Sequence, residues 1–168
     1  VRMTVCLDYF YDKPFVTKEE REDPFRAVQY GTFKIFSDGS LGSRSAKLYE
    51  PYSDDPTTTG MLVISQEDLN ERMLKGYEMG LQPAIHCIGD MGLDVVLTAI
   101  EYTLKKSREN GMTEREQKDR LPFRIIHAQM ANPELIERMT KLPVVLDIQP
   151  SFFLTDMHWI KELSLIHI

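Results

Sequence analysis

Five short apolar segments, each typical of a buried β-strand, are separated along the chain by polar loops or amphipathic helical patterns. They are residues 4–8, 32–37, 82–86, 123–127 and 144–149. Apolar strands that alternate with amphipathic helices predict a parallel sheet covered by helices. Two architectures satisfy this pattern: an open doubly wound sheet and an arc of a closed β/α barrel. No glycine-rich phosphate-binding turn follows any strand, which argues against nucleotide binding.

Helical patterns occupy the stretches between the later strands. The first helix is predicted to begin at the capping residue Ser65 and to end at Gly80. An apolar stripe runs through residues 93–104, and the charged residues 105–120 after it carry no helical pattern. A third, short helix opens at Asn132, which stands directly before a proline.

Charge and cysteine content narrow the classes of function. The formal net charge is −6 and no basic patch stands out, so neither a nucleic-acid nor a membrane partner is expected. No apolar run approaches the roughly 20 residues that a membrane-spanning helix needs. Cys6 and Cys87 form no disulfide framework, and each is expected to be a small buried hydrophobe. A reducing compartment fits this usage, and a cytoplasmic protein is the expectation.

Two histidines and one lysine stand where strand residues meet in a parallel β/α protein. His86 and His127 each close a strand, and the carboxyl ends of parallel barrel strands converge on one mouth. A lone histidine there is more often structural, whereas two at equivalent places in consecutive units can share a divalent ion. Lys34 lies inside an earlier strand, where burial without a partner is costly, so it is either a rim residue or a functional one. The pattern alone predicts a candidate metal site.

Five strings of residues, in order along the chain, carry a family resemblance. They are Phe-Lys-Ile-Phe-Ser-Asp-Gly-Ser-Leu-Gly-Ser-Arg-Ser-Ala at 33–46, Pro-Tyr at 51–52, Ile-His-Cys-Ile-Gly-Asp at 85–90, Ile-Ile-His-Ala-Gln at 125–129 and Gln-Pro at 149–150. In order and rough spacing they resemble the YtcJ-like branch of the amidohydrolase superfamily, metal-dependent hydrolases of the amidohydrolase 3 type that include N-substituted formamide deformylases.

The resemblance implies an α/β fold, a partial (β/α)₈ TIM barrel of about strands 3–7 with helices covering the parallel strands. Lys34 would lie on the fourth barrel strand, His86 on the fifth and His127 on the sixth. By the superfamily pattern, His86 and His127 bind one metal ion, and a carbamylated Lys34 bridges two. Zinc is the expected ion, with one or two ions in the site.

Further residues match the family strings outside the implied ligand set. Asp38, Arg44 and Asp90 are expected to shape loops or contact substrate, and for Asp38 and Asp90 a purely structural capping role is equally open. Gln129 and Gln149 are expected to orient or pack against their neighbours. The long loop at residues 38–60 is expected to influence substrate choice, because loops of this length are usually functional or disordered.

The implied reaction is hydrolysis of an amide or formamide-type C–N bond, other than a peptide bond, in a small molecule by a metal-activated water. The family's His-x-His of the first strand and the Asp of the eighth strand, its general base, do not occur in this sequence. The isolated chain is therefore expected to be inactive and to bind metal weakly. Two alternatives stay open, a natural half-barrel that binds or assembles with a partner and a catalytically dead relic. The oligomeric state is not predicted.

Both ends of the sequence are expected to be cut. Val1 already stands in an apolar run, so the N-terminus is expected to be missing. Residues 163–168, Leu-Ser-Leu-Ile-His-Ile, resemble the translation of a transposon-type sequencing adapter, although a natural apolar tail is the alternative. The expected organisation is a partial barrel domain at 1–162 and a non-native tail at 163–168. His158 is expected at the surface or at a helix entry.

Overall fold

A single parallel β-sheet organises the computed structural model, which describes residues 3–8, 23, 25 and 28–152. The expectations for His158 and for residues 163–168 lie outside these ranges. The strands are β1 (Met3–Asp8), β2 (Val28–Phe36), β3 (Gln82–Cys87), β4 (Phe123–His127) and β5 (Val144–Asp147). All five predicted strands are confirmed, and β5 ends two residues earlier than the apolar run.

The order of the strands decides between the two architectures. Each strand pairs in parallel with the strand before it, giving the order β1-β2-β3-β4-β5. An open doubly wound sheet reverses its strand order at a switch point, and the described strands contain no such reversal. A barrel arc adds each new strand on the same side. The predicted α/β fold with an arc of a barrel is confirmed, and the doubly wound alternative is wrong.

Within the described ranges, the helices that accompany the sheet include α1 (Gln66–Glu78), α2 (Asp90–Glu109), α3 (Glu114–Lys118) and α4 (Pro133–Thr140). The predicted helix starts are confirmed, because the side chain of Ser65 accepts a hydrogen bond from the Asp68 amide and that of Asn132 accepts one from the Leu135 amide. The predicted end of α1 is also confirmed. Gly80 adopts φ +84° just after the helix, a left-handed conformation that glycine reaches without steric cost.

The interpretation of residues 105–120 as non-helical is wrong. Helix α2 continues to Glu109, and α3 follows after a short turn. The buried face of this last part of α2 carries Ser107, so the apolar stripe stops there while the helix continues. Helix α3 is stabilised at its start by a reciprocal capping box between Thr113 and Glu116.

The two faces of the sheet differ in chemistry. One face packs against the helices and forms the main core, with fully or nearly fully buried side chains at Phe33, Ile35, Ile85, Cys87, Phe123 and Ile125. By alternation along β2, Lys34 and Phe36 point to the opposite face. The register pairs Lys34 with Ala84 and Phe36 with His86, so these residues share that second face. In a barrel it is the inner face, and it positions the candidate site.

The loop after β2 has an apolar core of its own. Its buried side chains pack together with one residue beyond β3 and one beyond β4: Leu41, Ala46, Leu48, Tyr52, Ile88 and Met130. The Tyr52 hydroxyl donates to the Ala46 carbonyl across 2.8 Å, which fixes the ring within this cluster. The loop is thus a packed substructure of the kind that compact surface loops form from their own side chains.

The expectation for the two cysteines is confirmed for Cys87 and wrong for Cys6. Cys87 is fully buried on the helix-covered face, whereas Cys6 is exposed. Cys6 pairs in register with Thr32, which shares the alternation of Lys34, so it belongs to the inner face. In the described ranges, no helix is both long and apolar enough to cross a bilayer.

Thiol labelling of the native chain is expected to modify Cys6 and to spare Cys87. Burial raises the pKa of the Cys87 thiol well above its ordinary value, so the reactive thiolate is suppressed as well as inaccessible. With a thiol reagent at pH 8, one fast equivalent is expected, and the second only in denaturant. A Cys6→Ser variant is expected to lose the fast equivalent, and fast labelling that persists in it would contradict this assignment.

Candidate metal centre

His86 is the second-to-last residue of β3, lies on the inner face and is held by the loop that follows β2. Its Nε2 lies 2.9 Å from the Gly39 carbonyl oxygen. Because a carbonyl oxygen only accepts, Nε2 carries the proton and Nδ1 keeps its lone pair. Burial lowers the pKa of His86 below its ordinary value, against the opposing effects of the Gly39 hydrogen bond and of Asp38. The side chain is therefore neutral near pH 7, as a metal ligand must be.

His127 reaches the same face through an unusual backbone. Its register partner is Cys87, so alternation alone would direct its side chain to the helix-covered face. Instead His127 has φ +78° and Ala128 has φ +46°, two successive left-handed residues. The His127 ring consequently lies beside that of His86, with 4.8 Å between centroids and 76° between planes. Such a conformation costs about 1–3 kcal/mol per residue, which the surrounding structure must offset.

A glutamine beyond β5 binds the other side of the His127 ring. Nδ1 of His127 lies 2.5 Å from Oε1 of Gln149. Gln149 was expected either to orient a neighbour or to pack against one, and this hydrogen bond favours the orienting role, with the His127 ring as the neighbour. Phe152 stacks on the same imidazole at a centroid distance of 5.9 Å.

Lys34 lies on the inner face one strand away from His86. Its Nζ is 4.9 Å from the centroid of the Phe36 ring. Burial lowers the pKa of Lys34, while Cys6, Cys87 and Asp147 oppose the shift. A lowered pKa increases the fraction of neutral amine, which is the form that reacts with carbon dioxide to give a carbamate. Lys34, His86 and His127 thus stand on one face of three adjacent strands.

Asp38 is a fully engaged buried carboxylate. It accepts hydrogen bonds from the amides of Ile88 (3.1 Å), Gly89 (2.8 Å) and Lys47 (2.9 Å). Its Oδ1 is also 3.6 Å from Nε2 of His86. A Cβ at Gly92 would approach Oδ2 within 2.6 Å, so only glycine fits there. Asp38 joins the loop to the end of β3 and to the start of α2.

Asp90 and Arg44 also anchor the loop in this structure. Asp90 is buried, and its Oδ1 accepts from the Tyr49 amide at 3.0 Å. Arg44, at φ +53°, forms a bidentate pair with Asp54 at the loop surface. The described residues show these local contacts for the two side chains, and a substrate contact for Asp38, Asp90 or Arg44 remains a prediction. Gln129 lies half-buried after β4.

One ion pair on the inner face was not predicted from the sequence. Arg124 of β4 approaches Asp147 of β5, with Nε and Nη2 2.8 and 2.7 Å from Oδ2. The signal was available, because both charged residues stand inside apolar strand segments. Register places Arg124 beside Ala84, which itself pairs with Lys34. The pair therefore lies on the same face as the candidate ligands.

The donor set fits a metal in part. Two imidazoles in contact, each with one nitrogen not hydrogen-bonded among the described residues, suit a divalent ion. In those same ranges, no group of three or more His, Cys, Asp or Glu side chains could hold a metal. A third ligand would have to be Lys34 in a modified form or a group from elsewhere.

A separate cavity of about 620 Å³ has none of the candidate ligands in its lining. Its lining comes from the carboxyl ends of α1 and α2 and from α3 with the residues after it, and includes Glu78, Asn110, Met112, Glu116 and Arg120. Its polar groups are already engaged, since Asn110 donates to Glu78 and Glu116 completes the cap of α3. The imidazole pair, not the cavity, therefore defines the candidate site.

Comparison with known proteins gives a consistent result. A model of the amidohydrolase family matches residues 3–164. Over 135 residues the chain is 43% identical to the YtcJ protein of Bacillus subtilis (strain 168), whose name assigns it to the amidohydrolases. Over 126 residues it is 39% identical to the protein LONG AFTER FAR-RED 3 of Arabidopsis thaliana. These matches cover 80% and 75% of this chain but only 23% and 20% of the relatives.

Two solved structures are also similar. Both are described as uncharacterized metal-dependent hydrolases, one from Pyrococcus furiosus and one from Pyrococcus horikoshii OT3. The TM-scores are 0.69 and 0.68, at 34% and 38% sequence identity. Each alignment covers 83% of this chain and 26% of the other, so the chain spans about a quarter of those proteins.

Proposed function

Because the chain belongs to the amidohydrolase family, we propose that it supplies part of the metal site of a metal-dependent hydrolase. The observation that carries the proposal is the contact between the rings of His86 and His127 at 4.8 Å. The left-handed backbone that brings the second ring into place has a cost, and a functional constraint explains why it is kept.

The proposed ligand atoms follow from the hydrogen bonds. His86 offers Nδ1, because its Nε2 faces the Gly39 carbonyl. His127 offers Nε2, because its Nδ1 faces Gln149. Lys34, carbamylated, would supply oxygen ligands and bridge two ions. Imidazole and carboxylate-like ligands suit zinc, which is the ion we propose.

The proposed reaction is hydrolysis of the C–N bond of an amide or formamide. A divalent ion in such a site polarises a carbonyl and lowers the pKa of water. The residues of this chain hold and orient the ligands: Gly39 and Gln149 fix the two imidazoles, and Asp38 fixes the loop that carries Gly39. Because the candidate ligands in this chain are two histidines, His86 and His127, and a lysine that would first have to be carbamylated, we propose that the 168-residue chain alone does not turn over substrate.

The test uses the full reading frame that encodes this chain, produced with zinc and assayed on N-formyl and N-acyl amines. Turnover is expected, with loss after chelation and recovery when zinc is restored, because the ion supplies several kcal/mol of transition-state stabilisation. The 168-residue chain is assayed in parallel and is expected to show none. Zinc-loaded full-length protein that cleaves neither substrate class would overturn the proposed reaction. Hydrolysis by the chain alone would overturn the claim that it is inactive.

A further inference from the structure

We propose that Gln149 is a positioning residue that sets the tautomer of His127 and so decides which of its nitrogens faces the metal. The inference deepens the proposed function, since it rests on His127 being a ligand. Gln149 stands two residues beyond β5, and its partner stands at the end of the neighbouring β4. The contact therefore joins the carboxyl ends of two adjacent strands.

The orientation of the Gln149 amide is fixed by its second hydrogen bond. Its Nε2 donates to the backbone carbonyl of Asp147 across 2.8 Å. A carbonyl oxygen cannot donate, so the amide nitrogen must point toward Asp147 and the amide oxygen toward His127. Oε1 is then the atom that lies 2.5 Å from Nδ1 of His127.

An amide oxygen only accepts, so Nδ1 of His127 carries the proton. In a neutral imidazole the lone pair then belongs to Nε2, the atom assigned above to the metal. Isolated histidine in water prefers the opposite tautomer, with the proton on Nε2. Without Gln149, the proton would occupy the position that a metal needs. Partners of this kind also hold the ring in place and raise its basicity toward the ion.

The geometry around the ring supports a positioning role. Gln149 binds one edge, Phe152 stacks on a face at 5.9 Å, and His86 lies against the ring at 4.8 Å. The two histidines receive complementary constraints, because a backbone carbonyl fixes the proton of His86 on Nε2 whereas Gln149 fixes that of His127 on Nδ1. The two neighbouring imidazoles are thus left with different unprotonated nitrogens, Nδ1 in His86 and Nε2 in His127.

The test compares Gln149→Leu, which removes the acceptor, with Gln149→Glu, which keeps an acceptor oxygen for His127 but loses the donor to the Asp147 carbonyl. The full-length protein is labelled with ¹⁵N-histidine and freed of metal, and the imidazole nitrogen shifts report the tautomer. The His127 signals are assigned by their loss in His127→Gln. We expect the Nδ1–H tautomer in the parent and in Gln149→Glu, and the Nε2–H tautomer in Gln149→Leu.

A competition titration of zinc against a chromophoric chelator supplies the second readout. We expect Gln149→Leu to bind zinc about 10-fold or more weakly and Gln149→Glu to retain the parent affinity. An Nε2–H tautomer in the parent, or an unchanged tautomer in a folded Gln149→Leu, would overturn the inference. Because the tautomer is measured without metal, the inference about Gln149 can fail independently of the proposed hydrolase activity. If Gln149→Leu does not fold, the tautomer of the parent and of Gln149→Glu still decides.

Discussion

An Asp38→Ala variant is expected to lose about 3–5 kcal/mol of the free energy of unfolding, a large share of what a domain of this size possesses. The carboxylate satisfies three backbone amides, those of Lys47, Ile88 and Gly89. An unsatisfied buried donor costs about 1–3 kcal/mol, and alanine would leave all three. Urea unfolding followed by circular dichroism, with parent and variant side by side, measures the difference.

Two further variants separate this role from a general effect of charge. Asp38→Asn keeps one acceptor oxygen but places an amide group toward at least one backbone donor, so most of the loss is expected to remain. Asp54→Ala removes an exposed carboxylate of the same loop, which forms an ion pair with Arg44. Because exposed ion pairs contribute little, little change in the free energy of unfolding is expected. An Asp38→Asn variant as stable as the parent would show that the second oxygen is not needed.

Replacing His127 or His86 by alanine in the full-length protein is expected to reduce zinc-dependent kcat/KM by about a thousandfold or more. This corresponds to about 4 kcal/mol, which is within what a metal ion supplies to a hydrolytic transition state. The variants are compared at saturating zinc, with the bound metal measured at the same time. Retention of full activity by either variant would remove that histidine from the ligand set.

The double variant tests whether the two histidines serve one ion. If both histidines hold the same metal, the first substitution already removes most of the metal's contribution to kcat/KM. The double variant should then be no slower than the slower single variant. Independent contributions would instead multiply, giving a loss near the product of the two. The 4.8 Å contact between the rings leads us to expect the first result.

The fold was readable from the sequence because its signals are local. Apolar runs gave the five strands, and Ser65, Gly80 and Asn132 gave helix ends, since capping depends on only a few neighbouring residues. The extension of α2 to Glu109 was not readable, because its inner face there carries Ser107 rather than an apolar side chain. Whether that serine is buried depends on tertiary packing, which cannot be predicted from the neighbouring residues in the sequence.

The candidate site was readable only in outline. Strand ends predicted that His86 and His127 would be close, and they are in contact. The backbone conformation that brings them together was not predictable. The register alone would direct the His127 side chain to the helix-covered face, and the left-handed conformations of His127 and Ala128 direct it to the inner face instead. Likewise, the partners of Asp38 lie up to 51 residues away in sequence, so only the folded chain shows which amides it satisfies.

The loop at residues 38–60 is a packed unit that is anchored to the ends of β3 and β4. Its apolar core around Tyr52 and its anchor at Asp38 keep it in shape independently of what its outer surface presents. Exposed positions such as Glu50 and Pro56 can therefore vary between related proteins without disturbing the packing beneath. We therefore expect substitutions at the exposed positions of this loop to change its outer surface while the backbone of the loop and the strands beneath it keep their positions.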